Sequence, residues 1–213
     1  MAFKIIIANK KGGSGKSTLA VNLATAYSTI FEKDTVLLDT DTQSMTTTKF
    51  NDNRKTNFFP IITNPQANEI KQLNTDYDIL IIDTGGFNTA ETKAFIATAD
   101  VVLFPLNMGS VEMDTFIDFH KIVSKILTVH KSAPTLMIVP NRIHPTTGES
   151  SIYNYFRSLI EAGYKIAPAL RYRKVYQDAH IMGKGVVELN NIKAKLEIVE
   201  VADYILKEVQ DGR

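Results

Sequence analysis

The sequence predicts an α/β fold in which a doubly wound, mostly parallel sheet carries helices on both faces. Three observations lead to this prediction: short runs of continuous apolar residues, helical stretches between those runs, and enough chain between successive runs for a crossover helix. Continuous rather than alternating apolar residues are typical of a parallel strand that is covered on both faces. Right-handed crossovers between such strands produce a doubly wound sheet.

The individual elements follow from local patterns. Strands are expected over residues 3–8, 35–38, 79–82, 101–104 and 136–139. Helices are expected over residues 16–31, 111–130, 151–162, 192–209 and the stretch from Asn88 to residue 99. Asn88 suits a helix N-cap because Glu91 follows three residues later, as in a capping box. Residues 42–75 show no clear pattern, and without a long linker we expect a single domain over residues 1–213.

Composition excludes several classes of protein. With 44% hydrophobic and 22% charged residues the chain lies near globular averages. It has no cysteine, which excludes disulfides, Cys-based zinc sites, thiolate-held iron–sulfur clusters and cysteine nucleophiles. The four histidines lack metal-ligand spacing and are interpreted as surface or helix residues. No apolar run approaches the roughly 18 residues of a membrane span, so we expect a cytoplasmic protein.

A glycine-rich segment joins the first predicted strand to the first predicted helix. It reads Asn9-Lys10-Lys11-Gly12-Gly13-Ser14-Gly15-Lys16-Ser17-Thr18. Glycines let successive backbone N–H groups turn inward, and the following helix N-terminus adds a positive dipole. Lys16 can reach the β and γ phosphates of a nucleotide, and the Ser17 hydroxyl can bind Mg²⁺. The segment therefore predicts a P-loop that binds ATP and Mg²⁺.

Three aspartates stand at the carboxyl ends of predicted strands. Asp39 and Asp41 follow the strand over residues 35–38, and Asp83 follows residues 79–82. Open α/β sheets bind ligands at this edge. Behind a P-loop, Asp83 suits a Walker B role that holds the magnesium shell, while Asp39 or Asp41 can orient the attacking water. The expected metal-site residues are Ser17, Asp39 and Asp83.

The P-loop resembles the deviant Walker A motif of the ParA/MinD group of ATPases. That motif carries an extra lysine ahead of the paired glycines, and Lys11 occupies this position. In the family this lysine reaches across an ATP-sandwiched dimer to the partner's phosphates, which implies a catalytic role for Lys11 beside Lys16. Lys10 departs from the pattern, since Gly, Gln or Pro is common there.

The aspartate element supports the same resemblance. Asp39-x-Asp41-x-Gln43 is similar to the family's Asp-x-Asp-Pro-Gln element, although Thr42 stands in place of proline. In the family the second aspartate positions the hydrolytic water. The resemblance therefore implies that Asp41 is the catalytic carboxylate.

The resemblance extends over nearly the whole chain and is weak over residues 44–75. Pro105, Asn141 and Arg142 match positions that form the base pocket in the family. The expected cofactor-binding residues are Lys11, Gly12, Gly13, Ser14, Gly15, Lys16, Ser17, Thr18, Pro105, Asn141 and Arg142.

One subgroup resembles this chain more than the others do. Arg173-x-Val175-Tyr176 followed by Gly183 is similar to the short, ParF-like plasmid partition ATPases. Longer relatives carry an N-terminal helix-turn-helix that reads DNA. Because the first predicted strand begins at residue 3, we expect no such domain here.

The resemblance implies a DNA partition ATPase associated with the nucleoid. ATP and Mg²⁺ would close a homodimer that binds DNA without reading sequence, and a centromere-binding, ParB-like adaptor would stimulate hydrolysis. Whether the ATP form also builds filaments stays open. Residues 157–184 contain six Lys and Arg against two acids and are the expected DNA surface, although a solvated face explains them almost equally well.

Two alternatives share the scaffold. A MinD-type ATPase that cycles on membranes needs a basic amphipathic C-terminal helix, whereas residues 196–209 carry four acids and one lysine, so we expect no membrane partner. A dethiobiotin-synthetase-like ligase would activate a carboxylate with ATP. The signature lysine and the aspartate element favour the partition ATPase over that ligase.

Overall fold

A computed structural model describes residues 1–41, 46–65, 67–85, 90–127 and 134–210. Within these ranges seven strands, β1 to β7, form one sheet: Phe3–Ile7, Thr35–Asp39, Ile61–Thr63, Ile79–Asp83, Val101–Leu106, Thr135–Pro140 and Lys165–Ile166. Their order is β3-β2-β4-β1-β5-β6-β7, and every neighbouring pair is parallel. The predicted doubly wound parallel class is confirmed.

Helices surround the sheet. In chain order, α1 to α8 are Lys16–Thr29, Thr46–Asn53, Ala67–Asp76, Ala90–Thr98, Ser110–Leu127, Glu149–Glu161, Lys174–Ile181 and Ile192–Gln210. A short 3₁₀ helix, Val186–Glu188, lies between α7 and α8. In the described ranges no helix is long and apolar enough to cross a membrane.

The predicted elements are present, and several others were missed. All five predicted strands form with bounds that differ by one or two residues. Missing from the prediction were β3, β7, α2, α3 and α7, of which β3, α2 and α3 lie in or beside the polar stretch that showed no pattern. The two missed strands are short edge strands of three and two residues, too short for an apolar run. The predicted Asn88 cap and the end of the predicted helix over residues 111–130 lie outside the described residues.

The position of strand β1 in the sheet explains the continuous apolar run over residues 5–8. Ile5 and Ile7 belong to a core that includes residues of α1 and α8, whereas Ile6 belongs to a second core with residues of α4, α5 and α6. A strand at the centre of a doubly covered sheet buries both faces, so neither face can be polar.

The register of the sheet gathers the predicted site at one edge. Asp39 of β2 lies opposite Asp83 of β4, and Ile7 of β1 lies opposite the same Asp83. The glycine-rich segment follows β1 directly and leads into α1. The two aspartates and the loop therefore meet at the carboxyl ends of the three adjacent strands, where open α/β sheets bind ligands.

Candidate nucleotide-binding site

Two glycines give the loop after β1 its shape. Gly13 and Gly15 have φ angles of 72° and 91°, a left-handed conformation that glycine adopts without steric cost. A Cβ on Gly15 would also collide with the side-chain amide of Asn141. Gly15 is the N-cap of α1, so the unpaired N–H groups of the first helical turn face the loop. This arrangement forms a cradle for an anion.

The residues after β6 close over the cradle. The Asn141 side-chain amide donates a hydrogen bond of 2.8 Å to the carbonyl of Ser14, and the Arg142 guanidinium donates one to the carbonyl of Gly13. Arg142 itself has a φ of 56°, and its backbone N–H donates to the Asn141 side-chain oxygen at 3.0 Å. The loop is thus held by a segment more than 120 residues away in the chain.

Pro105 contributes by a route that the sequence did not predict. The buried Asn9 donates from its amide to the Pro105 carbonyl at 2.8 Å and accepts the Lys11 backbone N–H at 2.8 Å. Pro105 is buried in β5 and is not among the residues that line the cavity described below. Its carbonyl therefore fixes the start of the loop, and its place in a base pocket stays a prediction.

Lys16 provides a buried positive charge inside the cradle. The residue is 7% exposed. Burial lowers the pKa of Lys16, while the carboxylates of Asp83 and Asp41 raise it. The neighbouring Ser14 hydroxyl is buried and has no hydrogen-bond partner among the described residues. A buried ammonium beside an unsatisfied hydroxyl and free helix N–H groups fits a phosphate group.

Asp83 is fully buried behind the loop. One carboxylate oxygen accepts the Thr47 hydroxyl at 3.0 Å, and the other has no partner in hydrogen-bond geometry among the described residues. Burial raises the pKa of Asp83 to about 7, and the Ser17 and Thr47 hydroxyls act in the opposite direction by stabilising the carboxylate. An unsatisfied carboxylate oxygen near a serine hydroxyl fits the oxygen ligands of Mg²⁺.

An all-protein metal cage is not formed by the described residues, since no three His, Asp or Glu side chains there share a possible site. Mg²⁺ commonly uses one or two protein oxygens together with phosphate and water. The Ser17 and Asp83 pair therefore fits a magnesium ion that arrives with a nucleotide.

Asp39 and Asp41 have different positions. Asp39 is buried, and its carboxylate accepts the Asp41 backbone N–H at 3.0 Å; burial raises the pKa of Asp39. Asp41 is partly exposed and lines the cavity, packed so closely on Gly85 that a Cβ there would lie 2.9 Å from its carboxylate. Gln43 and Thr42 lie outside the described residues. Of the two carboxylates, only Asp41 faces the cavity.

A cavity of about 500 Å³ lies above the loop. Its near wall contains the expected residues Gly12, Gly13, Gly15, Lys16, Ser17, Thr18, Asp41, Asn141 and Arg142. Lys11, Ser14, Asp39, Asp83 and Pro105 are outside the lining. Its far wall contains residues that the sequence did not assign to a nucleotide site: Leu170, Arg171, Tyr172, Arg173, Tyr176, Gln177, His180 and Ile181.

The cradle, the strand-end aspartates and the cavity agree with a sequence comparison. A family model described as the CobQ/CobB/MinD/ParA nucleotide binding domain matches residues 5–186. The chain belongs to this family. It is therefore a nucleotide-binding protein of the ParA/MinD group. Comparison with curated protein sequences gives no match.

Solved structures of this fold include three informative neighbours. A plasmid partition protein of Borrelia burgdorferi B31 bound to AMPPNP superposes with a TM-score of 0.76 at 17% identity, covering 98% of this chain and 100% of that one. Cyanothece McdA in an ATP complex superposes with a TM-score of 0.74 at 17% identity, covering 99% of this chain and 96% of that one. Pyrococcus horikoshii MinD with Mg-ADP superposes with a TM-score of 0.75 at 14% identity, covering 100% of this chain and 99% of that one. At such low identity these likenesses show the shared fold.

The signature lysine of this ParA/MinD chain lies outside the cavity. Its side chain is 46% exposed, and its ammonium forms an ion pair with Glu112 in the first turn of α5. Glu112 is only 14% exposed, so the contact fixes Lys11 against the body of the protein. Lys16 and Lys11 therefore have separate environments, one inside the cradle and one at its outer edge.

Glu197 of α8 holds the far wall of the cavity. One carboxylate oxygen accepts two hydrogen bonds from Arg173, at 2.9 and 2.6 Å. The other accepts the Tyr176 hydroxyl and the Arg171 backbone N–H, each at 3.3 Å. No local sequence pattern predicts these contacts, because Glu197 comes more than 20 residues after the groups it binds.

The expected DNA surface is largely neutralised. Within residues 157–184, five of the six cations pair with carboxylates, as Arg157–Glu161, Lys165–Glu208, Arg171–Glu149, Arg173–Glu197 and Lys174–Asp178. The Lys174 pair is long, at 4.0 Å, and exposed. Lys184 has no ion pair with the described residues. The segment is thus not one basic patch, and Lys174 and Lys184 are its most available charges.

Proposed function

We propose that this chain is an ATPase that partitions DNA. Binding of ATP and Mg²⁺ closes a homodimer, the dimer binds DNA without reading its sequence, and a centromere-binding, ParB-like adaptor stimulates hydrolysis and releases the dimer. In the cell this cycle places the protein on the nucleoid.

The separation of the two lysines is the observation that carries this proposal. Lys16 is buried in the cradle of its own protomer, where it can neutralise β and γ phosphates. Lys11 is half-exposed at the outer edge and does not line the cavity. A lysine in this position can reach a phosphate held by a second copy once it leaves Glu112. The arrangement suits an enzyme whose site is completed by dimerisation.

The remaining residues have roles that follow from their positions. Ser17 and Asp83 would hold the magnesium ion, which when bound neutralises phosphate charge and orients the phosphates. Asp41 lines the cavity and can accept a hydrogen bond from the attacking water, thereby aligning it with the γ phosphate. Asn141 and Arg142 keep the loop carbonyls turned away from the phosphates, so that the N–H groups face them.

The C-terminal helix supports the partition function over membrane cycling. The apolar face of α8 is buried in the core through Ala194, Ile198, Val201, Ala202 and Ile205. Glu197 and Glu208 on the same helix pair with cations of the protein body. A helix whose apolar face is buried in the core does not suit membrane anchoring.

The proposal is tested by size-exclusion chromatography with light scattering, followed by fluorescence anisotropy on random-sequence duplex DNA. We expect a monomer with ADP and a dimer with ATP and Mg²⁺. DNA should bind only to the ATP form, and shuffled duplexes should bind with equal affinity because phosphates carry no sequence information. An ATP-bound protein that stays monomeric and ignores DNA contradicts the proposal, and DNA-independent turnover of a small carboxylic acid would identify a ligase instead.

A further inference from the structure

Helix α7 and the turn that follows it pack on α2 and on Arg54, the residue after α2, at three close approaches. The Nε2 atom of His180 lies 3.1 Å from the carbonyl oxygen of Thr46. The rings of His180 and Phe50 have centroids 5.5 Å apart. Gly183 has a φ of 62°, and a Cβ on it would lie 2.5 Å from the backbone nitrogen of Arg54. The C-terminal end of α7 therefore lies along the length of α2, and His180 contacts the first turn of α2.

The hydrogen bond identifies the tautomer of His180. A carbonyl oxygen can only accept, so Nε2 must carry the proton and donate it to Thr46. The Nδ1 atom is buried and has no partner among the described residues. Burial lowers the pKa of His180, which favours this neutral ring. His180 is thus a fixed, uncharged donor to the first turn of α2.

The same turn reaches the magnesium side of the nucleotide site. Thr47 directly follows Thr46 and is buried, and its hydroxyl donates to Asp83 at 3.0 Å. The first turn of α2 is therefore held at one residue by His180 and at the next by Asp83. A rotation of this turn that broke the His180 bond would also move the Thr47 hydroxyl away from the carboxylate.

We propose that His180 is a positioning residue for ATP hydrolysis, which holds the first turn of α2 so that the Thr47 hydroxyl stays on Asp83. This role rests on the proposed ATPase function. His180 acts through Thr46 and Thr47 rather than on the reacting atoms. His180 also lines the far wall of the cavity, but the phosphate cradle is built from β1, α1 and the segment after β6. Its removal should therefore lower turnover and change nucleotide affinity by no more than about twofold.

A pair of variants separates donation from packing. In His180→Gln the side-chain amide can replace Nε2–H as the donor, whereas His180→Leu keeps bulk and loses the donor. We expect His180→Leu to lower kcat about fivefold, the effect of one neutral hydrogen bond, with KM and the ADP Kd within about twofold of wild type. His180→Gln should keep most of the activity. Equal losses in both variants, an unchanged kcat in His180→Leu, or a matching loss of ADP affinity would overturn the proposal.

A double-mutant cycle tests the route through Thr47. Thr47→Val removes the hydroxyl that contacts Asp83, so the His180 bond then has nothing to position. We expect His180→Leu to lower kcat by less than about twofold in the Thr47→Val background. If the fold-losses in kcat of His180→Leu and Thr47→Val multiply in the double variant, His180 does not act through Thr47 and the proposal fails.

Hydrogen exchange gives a readout that does not need catalysis. In the nucleotide-free, full-length protein, amides of α2 should exchange about fivefold faster in His180→Leu than in wild type, and at the wild-type rate in His180→Gln. Wild-type protein that binds ATP but never hydrolyses it would contradict the proposed function alone, and the exchange data would still decide whether His180 holds α2. Equal exchange in all three proteins would overturn the positioning role.

Discussion

Arg173 donates two hydrogen bonds to the same carboxylate oxygen of Glu197, at 2.9 and 2.6 Å. The contact raises the pKa of Arg173 and joins the residue before α7 to the second turn of α8. Both side chains are mostly buried, and Arg173 also lines the cavity. In the sequence Arg173 belongs to a basic segment that suggests DNA binding, whereas in the fold it supports the wall of the nucleotide site.

DNA affinity should therefore depend on Lys174 and Lys184. Both lie at or near α7, and removing them leaves the cavity intact because neither lines it. If each neutralises one phosphate, the double variant Lys174→Ala/Lys184→Ala loses four contacts per dimer. The slope of log K against log salt should flatten by about 3 to 4 units. Fluorescence anisotropy over a salt series measures this slope.

Lys33→Ala/Lys121→Ala is a matched control for that experiment, since it removes the same charge from exposed positions elsewhere. It should leave the slope within about one unit of wild type. Equal flattening in both double variants would mean that net charge alone controls DNA binding. An unchanged slope in Lys174→Ala/Lys184→Ala would place the DNA surface on another face.

The near wall of the site could be predicted from sequence because most of the residues that form it are close together in the chain. Gly13, Gly15 and Lys16 are close together in the chain, and a strand-end rule was enough to bring Asp39 and Asp83 together. The far wall depends on contacts between distant segments, such as Glu197 with Tyr176 and His180 with Thr46. Such pairs leave no periodic pattern, so the sequence alone indicates only a surface or helix residue at His180 and an available charge at Arg173.

Replacing Lys16 and replacing Lys11 should affect nucleotide binding and dimerisation differently. Lys16→Ala should abolish nucleotide binding, because it removes the buried charge that faces the phosphates. Lys11→Ala should leave ADP binding by the monomer nearly unchanged and abolish ATP-dependent dimerisation. Lys10→Ala is the matched control, since Lys10 is the exposed neighbour. Isothermal titration calorimetry with ADP and light scattering with ATP measure the two effects. Equal loss of ADP affinity in Lys16→Ala and Lys11→Ala would contradict a role for Lys11 in a partner's site.

Asp41→Ala should bind ATP and Mg²⁺ but hydrolyse ATP poorly. A carboxylate that orients water acts mainly in the transition state, so kcat should fall about 100-fold or more with little change in nucleotide Kd. The ATP dimer should then persist on chromatography. Asp39→Ala should instead disturb the turn that carries Asp41, because the Asp39 carboxylate accepts the Asp41 N–H. A normal kcat in Asp41→Ala, with slow hydrolysis in Asp39→Ala, would reverse the two assignments.

Asp83 should make the stability of the nucleotide-free protein depend on pH. Burial raises its pKa from 3.8 to about 7, so the folded state binds a proton more tightly than the unfolded state. The cost of the buried charge is absent near pH 4, grows as pH rises, and is complete above pH 7. Asp83→Asn removes that charge, and its free energy of unfolding should exceed that of wild type by about 4 kcal/mol at pH 8 and by about 2 kcal/mol at pH 5. Urea denaturation measures both values.

Asp76→Asn, at an exposed position, is the control and should change the free energy of unfolding at either pH by less than about 0.5 kcal/mol. An equal gain for Asp83→Asn at the two pH values would show that the carboxylate does not take up a proton on folding.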